Sequence, residues 1–127
     1  MARAVELYVA IVCLLIGFSH LLRSRDWVAF YTILHRAGTP GAFANGFLSL
    51  VTGAIIVAGH WVWSWPELVI TLLGCAMLVK SAICFLLPQK GVESMSRGLS
   101  PHGYPVAGAV LILISSLAAF CFWKNGA

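Results

Sequence analysis

Charged side chains are scarce in this chain. Only 9% of its 127 residues are Asp, Glu, Lys or Arg, and only four are acidic, whereas a typical soluble domain is roughly 25% charged. Hydrophobic residues make up 61% of the chain. A soluble domain of this length could not hide so much apolar surface, because small domains bury the smallest share of their area. The composition excludes a water-soluble globule and predicts a single membrane-embedded domain, residues 1–127.

The motifs of common catalytic sites are missing too. No serine stands in a G-x-S-x-G turn, no Gly-rich loop could cradle a phosphate, and no carboxylates are paired. The four cysteines form no C-x-x-C pair and fall in apolar runs, where a free thiol behaves as a small hydrophobe. We therefore predict that the protein is not an enzyme.

Four apolar segments are long enough to cross the hydrocarbon core of a bilayer, which needs about 20 residues. They are residues 5–22, 40–60, 66–87 and 104–123. No small-x-small cleavage site follows the first segment, so we expect it to be a retained helix and not a signal peptide. The predicted fold is all-α, a polytopic membrane protein built as a four-transmembrane-helix bundle.

The connection between the first two segments predicts a short additional helix. Asp26 is a residue type that caps helix N-termini, and Trp27, Phe30, Tyr31 and Leu34 follow it at helical spacing. Such an amphipathic helix lies in the headgroup plane of a membrane. An ordered loop with chance periodicity is the alternative.

Tryptophans mark the predicted membrane–water interfaces. Their rings sit half in lipid while the indole N–H stays hydrated. The predicted interface anchors are Trp27, Trp61, Trp63 and Trp65. An aromatic cage for a carbohydrate or choline is the alternative for the last three. Ser64 and Glu67 can form a capping box at the start of the third transmembrane helix.

The distribution of Lys and Arg predicts the orientation of the chain. The first and third connections hold five of them (Arg23, Arg25, Arg36, Lys90 and Arg97), whereas the termini and the second connection hold two (Arg3 and Lys124). Basic connections stay cytoplasmic. This predicts a protein integral to the cytoplasmic (inner) membrane, with both termini outside and the first and third connections cytoplasmic. The lipid bilayer thus accounts for the basic residues, and no nucleic-acid partner is predicted.

Each predicted transmembrane helix carries one stripe of small or weakly polar residues. In lipid such stripes mark helix–helix contacts, because they let backbones approach closely. The predicted helix-packing residues are Gly17, Gly41, Gly46, Gly53, Gly74 and Gly108. The second helix has two adjacent ridges, and we expect one of them, which includes Gly46, to serve a neighbouring protein. A narrow polar path through the bundle is the alternative.

Lys80 is the charged residue that lies deepest in an apolar segment. An intramembrane charge is costly and indicates function, although a lysine stem can also carry its ammonium up to the headgroups. His20 and Asn45 lie at a similar predicted depth and complete the set of polar intramembrane candidates. Glu6 and Glu67 lie near the opposite surface and are poor partners for Lys80.

The four histidines do not predict a metal site. A bis-His haem needs two histidines that face each other at one depth, and only His20 lies on an inner helix face. His60 is predicted at the outer surface. We predict no cofactor, with haem or quinone as the alternatives.

Three stretches carry a resemblance to a known group. They are residues 17–22 (GFSHLL), residues 71–74 (TLLG) with Lys80, and residues 86–88 (LLP). Together they resemble small uncharacterised bacterial four-helix membrane proteins, broadly similar to the DoxX-like group, over roughly residues 14–88. The resemblance implies the four-helix fold and, since some DoxX-like proteins are partners of redox enzymes, an accessory role. It carries over no active-site residue.

Three functions stay open on these grounds. The one we predict is a non-enzymatic accessory or structural subunit of a larger membrane complex, such as a redox complex, with other integral membrane subunits or further copies of itself as partners. The second is a redox protein associated with quinone or haem that uses His20 and Lys80. The third is a small oligomeric transporter or channel.

Overall fold

The computed structural model describes residues 1–126 as an all-helical protein. It contains no strand in that range. Six α-helices follow one another along the chain: α1 (Ala2–Leu22), α2 (Ser24–Ala37), α3 (Thr39–Gly59), α4 (Leu68–Leu86), α5 (Pro88–Met95) and α6 (Gly103–Gly126). A single 3₁₀ turn, Ser96–Leu99, follows α5.

Helices α1, α3, α4 and α6 are long and apolar enough to cross a membrane. They contain 21, 21, 19 and 24 residues, which at 1.5 Å per residue gives lengths of roughly 28–36 Å. The hydrocarbon core is about 30 Å thick. The predicted bundle of four transmembrane helices is confirmed, and the predicted segments differ from these helices by only a few residues at each end.

The predicted amphipathic helix is present as α2, with a different beginning. It starts at Ser24, and Asp26 forms no cap but pairs with the Arg23 guanidinium, Nε to Oδ2, at 2.5 Å. No residue of α2 is fully buried, so the helix covers one end of the bundle. Gly38 follows it at φ 68°, in the left-handed region that glycine adopts readily, and turns the chain into α3.

The third connection is also helical. Pro88 does end α4, as predicted, but it is at the same time the first residue of α5, a position that suits proline because its missing N–H is not needed there. Met95 is buried, and Gly91 lies close against Cys84. The connection therefore folds back onto the bundle beside α2.

Helix α1 packs along α6, and α3 packs along α4. Ser115 Oγ donates to the Ala10 carbonyl oxygen at 2.7 Å across the first pair. Near the chain ends, the Arg3 guanidinium lies 4.3 Å from the centre of the Phe122 ring. Both termini and the α3–α4 connection share one end of the bundle, which we call the terminal end. The opposite end, covered by α2 and α5, is the α2 end.

Glycines allow the closest helix contacts in both pairs. A Cβ on Gly108 would lie 2.6 Å from the carbonyl oxygen of Gly17, so α1 and α6 touch through their backbones. A Cβ on Gly53 would lie 3.1 Å from the carbonyl oxygen of Gly74, and α3 and α4 meet in the same way. Such close approach is how transmembrane helices gain van der Waals energy.

The expectation that the ridge of Gly46 serves a neighbouring protein is wrong at that residue. A Cβ on Gly46 would lie 2.7 Å from the Cβ of Cys84, inside the monomer. Gly41 is used internally as well, since a Cβ there would collide with the Leu34 carbonyl group of α2. Near the α2 end, both ridges of α3 therefore contact other helices of the same chain.

The predicted capping box does not form either. Helix α4 begins at Leu68 with Glu67 as its N-cap residue, and no side chain caps it. The Glu67 carboxylate instead reaches α6, where Lys124 Nζ lies 3.0 Å from its Oε1. An ion pair to another helix has replaced the local hydrogen bond.

Candidate functional site

Two connected chambers occupy the α2 end of the bundle. The head chamber has a volume of about 400 Å³ and lies between α4, α5, the 3₁₀ turn and α6. The tail chamber has a volume of about 450 Å³ and runs between the transmembrane helices toward the terminal end. Four residues line both chambers, and they mark the junction: His20, Tyr31, Asn45 and Lys80.

The junction contains all three polar intramembrane candidates. His20 comes from α1, Asn45 from α3 and Lys80 from α4, so three separate helices bring them to one place. Tyr31 of α2 is the fourth member, which we did not predict as a site residue. It belongs to the apolar face of the amphipathic helix, and the signal that could have identified it is its polar hydroxyl at the end of an apolar ring.

Two donors at the junction are unpaired. The Asn45 side chain is only 3% exposed, yet within residues 1–126 its amide forms no hydrogen bond. The Lys80 side chain is exposed and lines both chambers, and its ammonium has no hydrogen-bond or ion-pair partner in the described part of the chain. Buried polar groups are nearly always hydrogen-bonded. A partner for the buried Asn45 amide therefore has to come from the chambers, and the Lys80 ammonium is free to bind the same partner.

The two chambers have a one-sided charge. Lys80 and Arg97 are their formally charged lining residues, and no Asp or Glu lines either chamber among residues 1–126. Lys80 is thus not half of a buried ion pair: its side chain is exposed and also lines both chambers. It adds positive charge to a partly enclosed space, where the field of a charge is stronger than in water.

Aromatic rings hold His20 in place. Its imidazole stacks on Trp27 at 4.3 Å between ring centres and lies 5.4 Å from the ring of Tyr104. His20 Nδ1 is 2.8 Å from the Ile16 carbonyl oxygen. Because a carbonyl oxygen only accepts, Nδ1 carries the hydrogen and Nε2 is left for another partner.

Tyr31 adds a neutral polar group to the junction. Burial of its ring and the neighbouring Cys84 both raise the pKa of its hydroxyl above the ordinary value. The hydroxyl therefore stays protonated at neutral pH and can both donate and accept a hydrogen bond.

The tail chamber is lined mainly by apolar side chains. Apart from the junction and a few small hydroxyl groups, its walls are aliphatic and aromatic: Val9, Val12, Ile16, Phe30, Leu48, Ile56, Leu73, Met77 and Leu111. The head chamber is bordered by the short polar segments after α4, including Ser94, Arg97 and Ser100. The lining of the head chamber thus has a larger polar share than that of the tail chamber, and the two chambers adjoin at the junction.

The tryptophans differ in their surroundings. Trp61, Trp63 and Trp65 are exposed at the terminal end, and the rings of Trp61 and Trp63 meet edge to face at 5.0 Å. Trp27 is half-buried instead, and its Nε1 donates to Ser19 Oγ at 2.8 Å. It lines the tail chamber beneath His20, so it contributes to the cavity wall as well as to the surface of the bundle.

A second polar feature, the terminal-end cluster, lies at the opposite end and is closed. It consists of Glu6, His60, Thr71 and Glu67, all buried, with Asn125 and Lys124 at its rim. Asn125 Nδ2 donates to Oε1 of Glu6 at 2.9 Å and to Oε1 of Glu67 at 3.2 Å. Three transmembrane helices and the α3–α4 connection meet in this cluster.

The sequence did not reveal the terminal-end cluster. We predicted His60 at the outer surface, but its side chain is 0% exposed and faces Glu6, which is 1% exposed. The available signal was their common depth, since both lie near the ends of apolar segments at one side of the membrane. Within residues 1–126, no group of three or more His, Cys, Asp or Glu side chains could hold a metal ion.

Comparison of the chain with protein-family models, with curated proteins and with solved structures finds no match. The resemblance to DoxX-like proteins accordingly stays a prediction, and the function has to be argued from the geometry of the two polar sites.

Proposed function

We propose that this protein is a non-enzymatic membrane protein that binds one amphiphilic molecule, with an anionic head in the head chamber and an apolar tail in the tail chamber. The observation that carries the proposal is the junction, where the unpaired Lys80 and Asn45 stand between a chamber lined in part by Arg97 and hydroxyl groups and a mainly apolar chamber. Each chamber lies within the roughly 300–1,000 Å³ typical of small-molecule sites.

The charge of the lining favours an anionic head. Lys80 and Arg97 are close to the head chamber and no carboxylate in its lining balances them. A carboxylate or phosphate could accept from Lys80, from the Asn45 amide and from the protonated Tyr31 hydroxyl. Hydrogen bonds that involve an ionised group are about twice as strong as neutral ones.

The tail chamber restricts the shape of the ligand's tail and contributes little to the affinity for the ligand. Lipid tails are as apolar as the side chains that line it, so a bound alkyl chain gains little by leaving the bilayer. The contacts of the head therefore decide the affinity, and Lys80 is the residue whose loss weakens binding most.

A quinone is the second candidate ligand. The support for it is His20, which is wedged between the rings of Trp27 and Tyr104 and offers Nε2 beside the chambers. A quinone head is neutral, however, and would leave the positive charge of Lys80 without a counterion. This difference makes the two ligands separable by experiment.

The accessory-subunit role stays a prediction. We based it on spare small-residue ridges, and the two ridges of α3 are partly used inside the monomer, at Gly41 and Gly46. Location in the inner membrane, with the α2 end cytoplasmic, likewise rests on the distribution of Lys and Arg. In that orientation the head chamber faces the cytoplasmic leaflet.

The proposal is tested with purified full-length protein in detergent and a fluorescent fatty acid as the probe. We expect Lys80→Met to weaken binding at least about tenfold, because a hydrogen bond to a charged group contributes about 1.5–3 kcal/mol. Lys80→Arg should retain most of the affinity. Lys90→Met is the matched control, since Lys90 is an exposed lysine on α5 that lines neither chamber, and it should bind like the wild type.

Competition experiments separate the candidate ligands. An alkyl phosphate that displaces the fatty acid would show that the site takes anionic heads in general. Displacement by a short-chain quinone, with affinity unchanged in Lys80→Met, would favour the second candidate. Equal fatty-acid binding by wild type and Lys80→Met, or no binding by either, would overturn the proposal.

A further inference from the structure

Hydrogen bonding in the terminal-end cluster is determined by Thr71. Its side-chain oxygen Oγ1 lies 2.7 Å from the Val62 carbonyl oxygen and 3.1 Å from the His60 carbonyl oxygen. It also lies 3.3 Å from the Val62 backbone nitrogen and 3.1 Å from His60 Nδ1. Thr71 is completely buried, so these groups are its partners.

The single hydroxyl hydrogen of Thr71 has to point at a carbonyl. Two oxygens 2.7 Å apart require a hydrogen between them, and the Val62 carbonyl has none to give. Thr71 therefore cannot donate to the His60 ring, and its lone pairs accept instead, one from the Val62 N–H and one from His60 Nδ1. It follows that His60 Nδ1 carries a hydrogen.

The other ring nitrogen of His60 faces a carboxylate. Nε2 lies 3.4 Å from Glu6 Oε1, which also accepts from Asn125. A neutral imidazole with its hydrogen on Nδ1 would present a lone pair to the lone pairs of an ionised Glu6. Such a contact between buried acceptors is repulsive, and burying an unbalanced charge is costly.

We propose that the Glu6–His60 pair is a proton-binding site, in which one proton lies between Nε2 and Oε1. Whether that proton is assigned to the ring or to the carboxyl, it belongs to the pair. It neutralises Glu6 inside the bundle and ties α1 to the α3–α4 connection. The site is independent of the proposed amphiphile binding at the α2 end.

The surrounding charges are balanced by this proton. The titratable groups near the pair include Glu67 at the start of α4, Cys121 and Lys124 on α6, and the amine of Met1, whose side chain packs against Gly59 beside His60. Glu67 is paired with Lys124. Arg3, on the same helix as Glu6, turns to Phe122 and its backbone instead. With the proton the terminal-end cluster is neutral, and without it one buried negative charge is left over.

The pair therefore stabilises the contact between α1 and the α3–α4 connection only while it holds the proton. As the pH rises and the proton leaves, the contact between α1 and His60 becomes repulsive, so stability falls. Glu6→Gln provides the comparison, because its amide has a similar shape and neither gains nor loses a proton in this pH range.

The first test compares the thermal unfolding of full-length wild type and Glu6→Gln in detergent across roughly pH 5 to 9, a range wider than the one in which an ordinary histidine changes charge. We expect the melting temperature of the wild type to fall as the pH rises, and that of the variant to stay flat. Parallel pH profiles would overturn the proposal.

A second measurement keeps the proposal falsifiable if Glu6→Gln does not fold. Nitrogen-15 NMR of the histidine rings and carbon-13 NMR of the Glu carboxyls can be recorded on wild-type protein near neutral pH, with the exposed His102 as the reference ring. We expect either a doubly protonated His60 ring or a protonated Glu6 carboxyl. A neutral His60 ring together with an ionised Glu6 would refute the shared proton.

Discussion

At the scale of single residues, the polar groups of this protein differ in whether they have hydrogen-bond partners within the chain. Thr71 has every bond that its hydroxyl can make, and Glu67 has a lysine and an asparagine on one oxygen. Asn45 and Lys80 have no such partners among residues 1–126. The terminal-end cluster is only partly satisfied, because Oε2 of Glu6 and Oε2 of Glu67 are buried without a hydrogen-bond partner. What separates the two sites is the cavity: Asn45 and Lys80 line chambers that have room for a ligand.

Glu67 allows a prediction about stability at acidic pH. Burial opposes its ionisation, but hydrogen bonds from Lys124 and Asn125 outweigh this effect and lower the pKa of its carboxyl from the ordinary 4.5. A carboxyl with a lowered pKa stabilises the fold above its unfolded value and loses that contribution as the pH falls through the folded value. The wild type should therefore lose stability between about pH 6 and pH 3 as Glu67 takes up a proton.

Thermal unfolding in detergent measures this effect. We expect the wild-type melting temperature to fall by roughly a few degrees more than that of Glu67→Gln over the same pH range. Glu93→Gln, at an exposed carboxyl on α5, should keep the wild-type profile. A Glu67→Gln profile that matches the wild type would show that the ion pair with Lys124 does not contribute.

At the scale of elements, the close contact between α3 and α4 rests on small residues. Gly46 lies against Cys84 and Phe85, and Gly53 lies against the backbone of α4. The space for a larger side chain is absent on this face, whereas the face with Ala44 is exposed. A transmembrane helix therefore tolerates a larger side chain only on a face that is exposed to lipid.

Substitution at Gly46 should therefore destabilise the monomer. We expect Gly46→Leu to cost at least about 1–3 kcal/mol, the usual penalty of overpacking, and Gly46→Ala to cost less. Ala44→Leu, two residues away on the exposed face, should leave the melting temperature nearly unchanged. An equal effect of both leucine variants would mean that the contact with Cys84 does not set the stability.

At the scale of the whole molecule, the antiparallel pairs place the termini and the tryptophan connection together. The α2 end carries most of the Lys and Arg residues that lie outside the transmembrane helices. The terminal end carries the buried polar cluster. The two ends therefore differ in charge and in openness. By the positive-inside rule we predict that the α2 end lies in the cytoplasm.

Labelling of introduced cysteines in intact cells tests that orientation. We expect a membrane-impermeant maleimide, added outside, to react with Ser64→Cys in the exposed tryptophan connection and not with Ser100→Cys at the α2 end. After the cells are opened both should react. Labelling of Ser100→Cys alone in intact cells would reverse the assigned orientation. The native cysteines are the built-in control, since all four lie in transmembrane helices.

The sequence by itself determined the number, length and class of the membrane helices. Lipid offers no hydrogen bonds to a backbone, so an apolar run of about 20 residues has to be helical. The same pattern placed Lys80, His20 and Asn45 at one depth and predicted the amphipathic helix. These conclusions depend on composition and spacing along one helix at a time, which is information that the chain displays directly.

Only the tertiary structure decided which helix faces meet. Spacing gives the depth of a residue but not the direction in which its helix is turned, and His60 and Glu6, 54 positions apart, become neighbours only when α1 lies beside the end of α3. For the same reason the sequence did not show that Gly46 packs inside the monomer, and it did not identify Tyr31 as a site residue. Rotation about the helix axes is set by close packing among all the helices together, and that packing created both the chambers and the buried proton site.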